Sequence, residues 1–170
     1  MCQCAKLVNI DKMEDEKFLK LQIQHFEQKI FALALWLIGG NKDKAYDIAV
    51  ASFVDALRVY STKETEDIFV TNLVNATIKR SQGIEVMPSF DETDFSDLPA
   101  GKQKSLSMVA RALHLLPFET KTLLLLRSQL HLSYKVIAGV FKISETDARS
   151  QMGKANIMFR EKIEEVMVGG

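Results

Sequence analysis

Residues 107–167 read SMVARALHLLPFETKTLLLLRSQLHLSYKVIAGVFKISETDARSQMGKANIMFREKIEEVM. Its centre predicts two short helices joined by a tight turn. Ser133 can cap a first helix that carries Ile137, Ala138, Val140 and Phe141 on its buried side. Lys142-Ile143-Ser144 breaks that helix. Ser144 followed three residues later by Asp147 is a capping box, so a second helix is expected to start at Glu145. Ala148, Met152, Ala155, Phe159, Ile163 and Val166 recur at steps of three and four, which is one face of a helix. The opposite face shows Glu145, Thr146, Arg149, Gly153, Asn156 and Arg160. In a helix-turn-helix, the first turns of the second helix reach base edges in the major groove.

Two helices are predicted upstream of this unit. Leu106, Val109, Ala110, Leu113 and Leu116 recur at helical spacing. Pro117 suits the first turn of the next helix, where its missing N–H costs nothing. That helix runs through Leu123, Leu124, Leu125 and Leu126 to about Gln129. Pattern alone fits four core helices with no DNA contact as well as it fits a DNA-reading unit.

The order and spacing of particular residues add a resemblance. Leu113-x-x-Leu116-Pro117, Leu124-Leu125-Leu126-Arg127, Leu132-Ser133-Tyr134-x-x-Ile137-Ala138, Ile143-Ser144 and Arg149-Ser150…Lys154-Ala155 follow one another over about sixty residues. This series resembles region four of the extracytoplasmic-function (ECF) sigma factors, whose pattern is close to L-P-x-x-x-R-x-v-l-x-L-R…l-S-Y-x-E-I-A-x-x-L-G-I-S-x-x-T-V-K-S-R-L-x-R-A-R. The chain departs from it in places. Val136 stands where the family has Glu, and Gln151 and Asn156 where it has Arg. Lys142 stands at the turn glycine, so a non-glycine residue is expected to take a left-handed conformation there.

The first half carries a weaker likeness. A helix is predicted from Asp15 to Ile38, with Phe18, Leu21, Phe26, Ile30, Leu33, Leu37 and Ile38 on a broad apolar face. Phe31, Leu35 and Trp36 widen that face, and Gly39-Gly40-Asn41 ends the helix. The next helix, about Lys42 to Val59, turns Ala45, Ile48, Ala49, Ser52, Phe53, Ala56 and Leu57 inward. Its segment from Asp43 to Phe53 resembles the D-A-E-D-L-V-Q-E-V-F motif of sigma region two, matching at Asp47, Ile48 and Phe53. The resemblance implies docking on RNA polymerase core through Lys44, Tyr46, Asp47, Val50 and Ala51. Tyr46, Val50 and Ala51 replace polar family residues, and Tyr46 with Val50 is expected to form an apolar patch. The polar stretch Ser61 to Asp67 falls where the family captures a flipped promoter base. It has no aromatic platform and carries Glu64, Glu66 and Asp67, so poor promoter melting is expected. A third helix, Ile68 to Arg80, has Lys79 and Arg80 as its only cations.

Composition agrees with an all-α chain: 170 residues, 47% of them hydrophobic, with three prolines and eight glycines. The expected organisation is a region-two-like bundle over 1–84, an acidic linker over 85–103 and a region-four-like helix-turn-helix domain over 104–170. Charge follows that division. Residues 1–88 carry 11 Lys+Arg against 12 Asp+Glu, net −1; residues 89–99 carry four acids; residues 100–170 carry 11 bases against 6 acids, net +5. A modest basic excess on one module gives weak DNA binding alone, so help from a partner is expected.

No apolar run is long enough to cross a membrane, and no signal-peptide core opens the chain, so a cytoplasmic protein is expected. Cys2 and Cys4 are the only cysteines, and with His25, His114 and His131 scattered, no metal site and no cofactor are expected. No nucleophile motif or phosphate loop appears, which points away from an enzyme. The expected function is a sigma-factor-like regulator that binds polymerase core and double-stranded promoter DNA. The resemblance also implies an anti-sigma protein as a further partner. DNA contact is assigned to Lys142, Glu145, Thr146, Arg149, Ser150, Lys154 and Arg160. The main alternative is a divergent adaptor or decoy that acts by protein contacts without initiating transcription. A stand-alone helix-turn-helix repressor and a purely structural helical protein follow.

Overall fold

A computed structural model describes residues 13–60, 65–84 and 99–168. Cys2, Cys4, Ser61 to Glu64 and most of the acidic stretch lie outside these residues. The described residues are all-helical, with seven helices and no strand: α1 (Met13–Leu37), α2 (Lys42–Val59), α3 (Glu66–Ser81), α4 (Ala100–His114), α5 (Phe118–Ser128), α6 (Tyr134–Phe141) and α7 (Glu145–Val168).

Helices α1, α2 and α3 pack on one another. The turn between α1 and α2 is made by Gly39 and Gly40, both at positive φ, and the Gly40 N–H donates to the Leu35 carbonyl at 2.9 Å. Asn41 then caps α2: its side chain accepts from the Lys44 N–H at 2.9 Å. Ser52, Thr77 and Ser81 are buried polar residues of this group, and each hydroxyl donates to the carbonyl four residues back. Leu21, expected on the buried face of α1, is 56% exposed, while Leu19 and Ile23 are buried instead. A face wide enough to look apolar all round left the exact side undecided.

Helix α7 packs against α4, α5 and α6. Ala148, Met152, Ala155 and Val166 are buried, and Phe159 and Ile163 half-buried, as the stripe predicts. Pro117 differs from its expected place. It lies one residue earlier, as the N-cap of α5 at ψ 144°, with its carbonyl accepting from the Lys121 N–H. Helix α4 begins at Ala100, inside the stretch assigned to the linker.

The two groups meet through α1 against α5 and α3 against α6, and their buried residues join one continuous core. At the first junction the Lys121 ammonium donates to the Leu37 carbonyl at the end of α1, at 2.9 Å. Burial pushes that ammonium below the usual lysine range. At the second junction, Val136 is buried and lines a cavity with Val70 of α3. Val136 therefore lies where the two groups touch.

Lys142 ends α6 at φ 55°, ψ 44°, the left-handed conformation expected at this turn. Lys142→Gly is expected to relieve about 1–2 kcal/mol of backbone strain. The flexibility that glycine gives the unfolded chain takes back about 0.4–1 kcal/mol. A net rise in stability measured by denaturant unfolding is the expected result. Lys121 gives a second expectation. Its folded-state pKa is lowered, so the unfolded chain holds the proton more tightly, and stability rises with pH between the lowered value and the ordinary one. Melting temperatures of wild type and Lys121→Met, compared from neutral to alkaline pH, are expected to diverge in that direction.

Candidate nucleic-acid interface

The turn unit is built by two serines and one strained lysine. Ser133 caps α6, its hydroxyl accepting from the Val136 N–H at 3.3 Å. Ser144 caps α7, accepting from the Asp147 N–H at 3.0 Å. The return bond of the box differs from the usual one: the Ser144 hydroxyl itself donates to the Asp147 carboxylate at 2.7 Å. Between the caps, the Ile143 N–H donates to the Ala138 carbonyl, which closes the end of α6. The two helices are thus held by local bonds, and Ile137, Ala138 and Ala148 are buried beneath them.

All seven residues assigned to DNA are exposed: Lys142, Glu145, Thr146, Arg149, Ser150, Lys154 and Arg160. They do not share one face. With about 3.6 residues per turn, Arg149 and Arg160 point in nearly the same direction, and Glu145 and Thr146 flank them. Lys154 lies roughly 140° round the helix from Arg149. It lines a groove with Glu119 and Thr120 of the α5 region. Arg149 and Arg160 therefore form the strip that could enter a groove, and Lys154 stands at its side.

Arg149 is not a free side chain. Its guanidinium carbon lies 4.4 Å from the ring centre of Tyr134, and its Nη2 lies 3.8 Å from the Glu145 carboxylate. Arg127, at the end of α5, brings a second guanidinium to the same ring at 5.0 Å. Tyr134 and Arg127 were legible only as motif letters, since nothing in the spacing pairs them with Arg149.

Lys135 was also missed. It stands on the second residue of α6, and its ammonium donates to the Asp67 carboxylate of α3 at 2.6 Å. The hydrogen bond to Asp67 and then its charge, with help from Glu145, hold the ammonium above the usual lysine value. Glu66 and Asp67, expected in the polar stretch before the third helix, belong instead to the first turn of α3. The Asp67 charge is met by Lys135, so its expected repulsion of phosphate is muted in this arrangement.

On α2, the five residues assigned to polymerase lie on one outer arc. Lys44, Tyr46 and Asp47 are exposed; Val50 and Ala51 are half-buried. Tyr46 is 51% exposed, so the apolar patch there rests mainly on its ring. Arg80 of α3 is tied to Asp55 of α2 at 2.6 Å. Among the described residues no helix is long and apolar enough to cross a membrane, and no cluster of His, Cys, Asp and Glu could hold a metal. No protein-family model matches the chain, and no curated protein matches it.

The Lys135–Asp67 pair yields a test of its own. Asp67→Asn leaves Lys135 a free cation at the start of α6. Binding to a generic DNA duplex is expected to strengthen, with a steeper salt dependence by roughly one unit of slope. Filter binding across a salt series reads it, and an unchanged slope would show that Lys135 lies out of reach of phosphate.

Proposed function

We propose that this chain is a sigma-factor-like transcription regulator of the cytoplasm that binds RNA polymerase core through α2 and promoter DNA through α6 and α7. The observation that carries the reading is the α6–α7 unit. Two serine caps and a left-handed turn fix the angle between the helices, and the exposed side of α7 presents Arg149 and Arg160 in line. That is the arrangement by which a helix-turn-helix offers its second helix to the major groove. The outer arc of α2, with Asp47 at its middle and Tyr46 exposed beside it, supports a protein contact on the other half.

One observation favours a second reading, an adaptor or decoy that does not initiate transcription. Lys135 is bound to Asp67, and Val136 is buried against the first half. Part of the surface that a helix-turn-helix turns to the DNA backbone is thereby already used within the chain.

Retention of the cell's RNA polymerase core on the immobilised full chain, followed by run-off transcription, separates the two. The proposal expects core retention that Tyr46→Glu abolishes without unfolding the protein. It also expects specific promoter binding. Arg149→Ala then costs about 1–3 kcal/mol of discrimination at one base position, and Lys154→Ala weakens all sequences alike. Core retention with no DNA binding and no transcript would favour the adaptor. Neither core retention nor DNA binding would remove both readings.

A further inference from the structure

We propose that Tyr134 is a positioning residue: it holds the Arg149 guanidinium over its ring, so that the outer edge of that guanidinium is presented to the acceptor edge of a guanine. The inference rests on the DNA-binding reading above and names the base that it would read. Three helices meet at this ring. Tyr134 is the first residue of α6, Arg149 lies in the second turn of α7, and Arg127 is next to last in α5. Arg149 stands 4.4 Å and Arg127 5.0 Å from the ring centre.

The two arginines have different duties. Arg127 is anchored, donating from Nη1 to the Leu132 carbonyl at 2.9 Å, which ties down the connection from α5 to α6. Among the described residues Arg149 has no such backbone anchor. It has the ring beneath it and the Glu145 carboxylate 3.8 Å to one side. Its side chain remains 61% exposed. Two guanidiniums at one ring repel each other, so packing alone is a poor reason to bring them together. The ring's electron-rich face attracts both, and Glu145 offsets the repulsion.

The physical gain is in the aim of Arg149. A guanidinium held over a ring is already restrained, so its planar fork of N–H groups gives up little further freedom when they bond. Guanine offers two acceptors, N7 and O6, spaced for such a fork in the major groove. The Glu145 carboxylate repels phosphate and so biases this arginine toward a base edge rather than the backbone.

The test selects binding sites from a random duplex pool with the full chain at low salt. Wild type and Tyr134→Phe, which keeps the ring, are expected to enrich the same site, with a G·C pair at one position. Tyr134→Leu is expected to lose about tenfold of the preference at that position, with the salt slope unchanged. The same preference in Tyr134→Leu would overturn the inference and leave the DNA-binding reading intact. No enriched sequence with wild type would overturn both. A spectroscopic signature guards against a leucine variant that fails to fold. In wild type without DNA, the ring current of Tyr134 is expected to shift the Arg149 Nε–H resonance upfield. An Arg149 signal at the position of a free arginine would overturn the inference by itself.

Discussion

The eight residues of α6 are held by α3, α5 and α7 together, and the rest of the chain is arranged around that burial. A helix so short does not form alone in water, because nucleation is not repaid over two turns. What repays it is packing. Val136, Ile137, Ala138 and Val140 are all buried, Ile137 completely. Each large apolar side chain so placed contributes about 1.5–3 kcal/mol. The left-handed turn at Lys142 costs about 1–2 kcal/mol, so the burial wins and the turn is forced to follow. His131, before the helix, sits at φ 55° as well. Both ends of α6 bend sharply because both neighbouring connections must bring leucines and α7 back onto the same small core.

That burial decides which parts of α6 remain for a ligand. Lys135 meets Asp67 of α3, and a Cβ added at Gly139 would stand 3.7 Å from the Thr71 hydroxyl of the same helix. One side of α6 is thus committed to the first half of the chain. Tyr134, at the start of the helix, is left on the side of Arg149 and Arg127. The candidate interface is narrower than seven exposed residues suggest: it is the Arg149–Arg160 strip, aimed by Tyr134, with Lys154 on its flank.

Much of this fold was legible in the sequence, and the reasons are local. Ser133 and Ser144 are caps whose partners lie three residues away, and Lys142 occupies a turn that only a few residue types enter without strain. The stripe from Ala148 to Val166 follows from helical period alone. Other features were hidden because they depend on contacts distant in sequence. Lys135 and Asp67 are far apart along the chain, and no periodicity links them. Tyr134 gathers two arginines from separate helices for the same reason. Leu21 misled because α1 has apolar residues on nearly every side, so the period does not select a face. A proline suits both the cap and the first turn of a helix, so the sequence leaves the place of Pro117 open by one residue.

The junction between the halves raises the question of which force keeps it closed. The Lys135–Asp67 pair is short, yet its side chains are 72% and 47% exposed, and pairs in such surroundings add little to stability and are screened by salt. Lys121 is buried against the Leu37 carbonyl, but its lowered pKa records a penalty that offsets part of that bond. The apolar contacts are different. Val70 and Val136 are buried at the junction, and the core runs through it without a break. Removing such residues from contact costs more than breaking an exposed ion pair. The packing of α3 on α6 therefore depends on valine rather than on charge. It follows that the Asp67 carboxylate can act on Lys135 without being what holds the halves together. A phosphate could displace that carboxylate while α6 stays where it is. The apolar side chain of Val136 then has a physical sense: at this position it joins α6 to the first three helices.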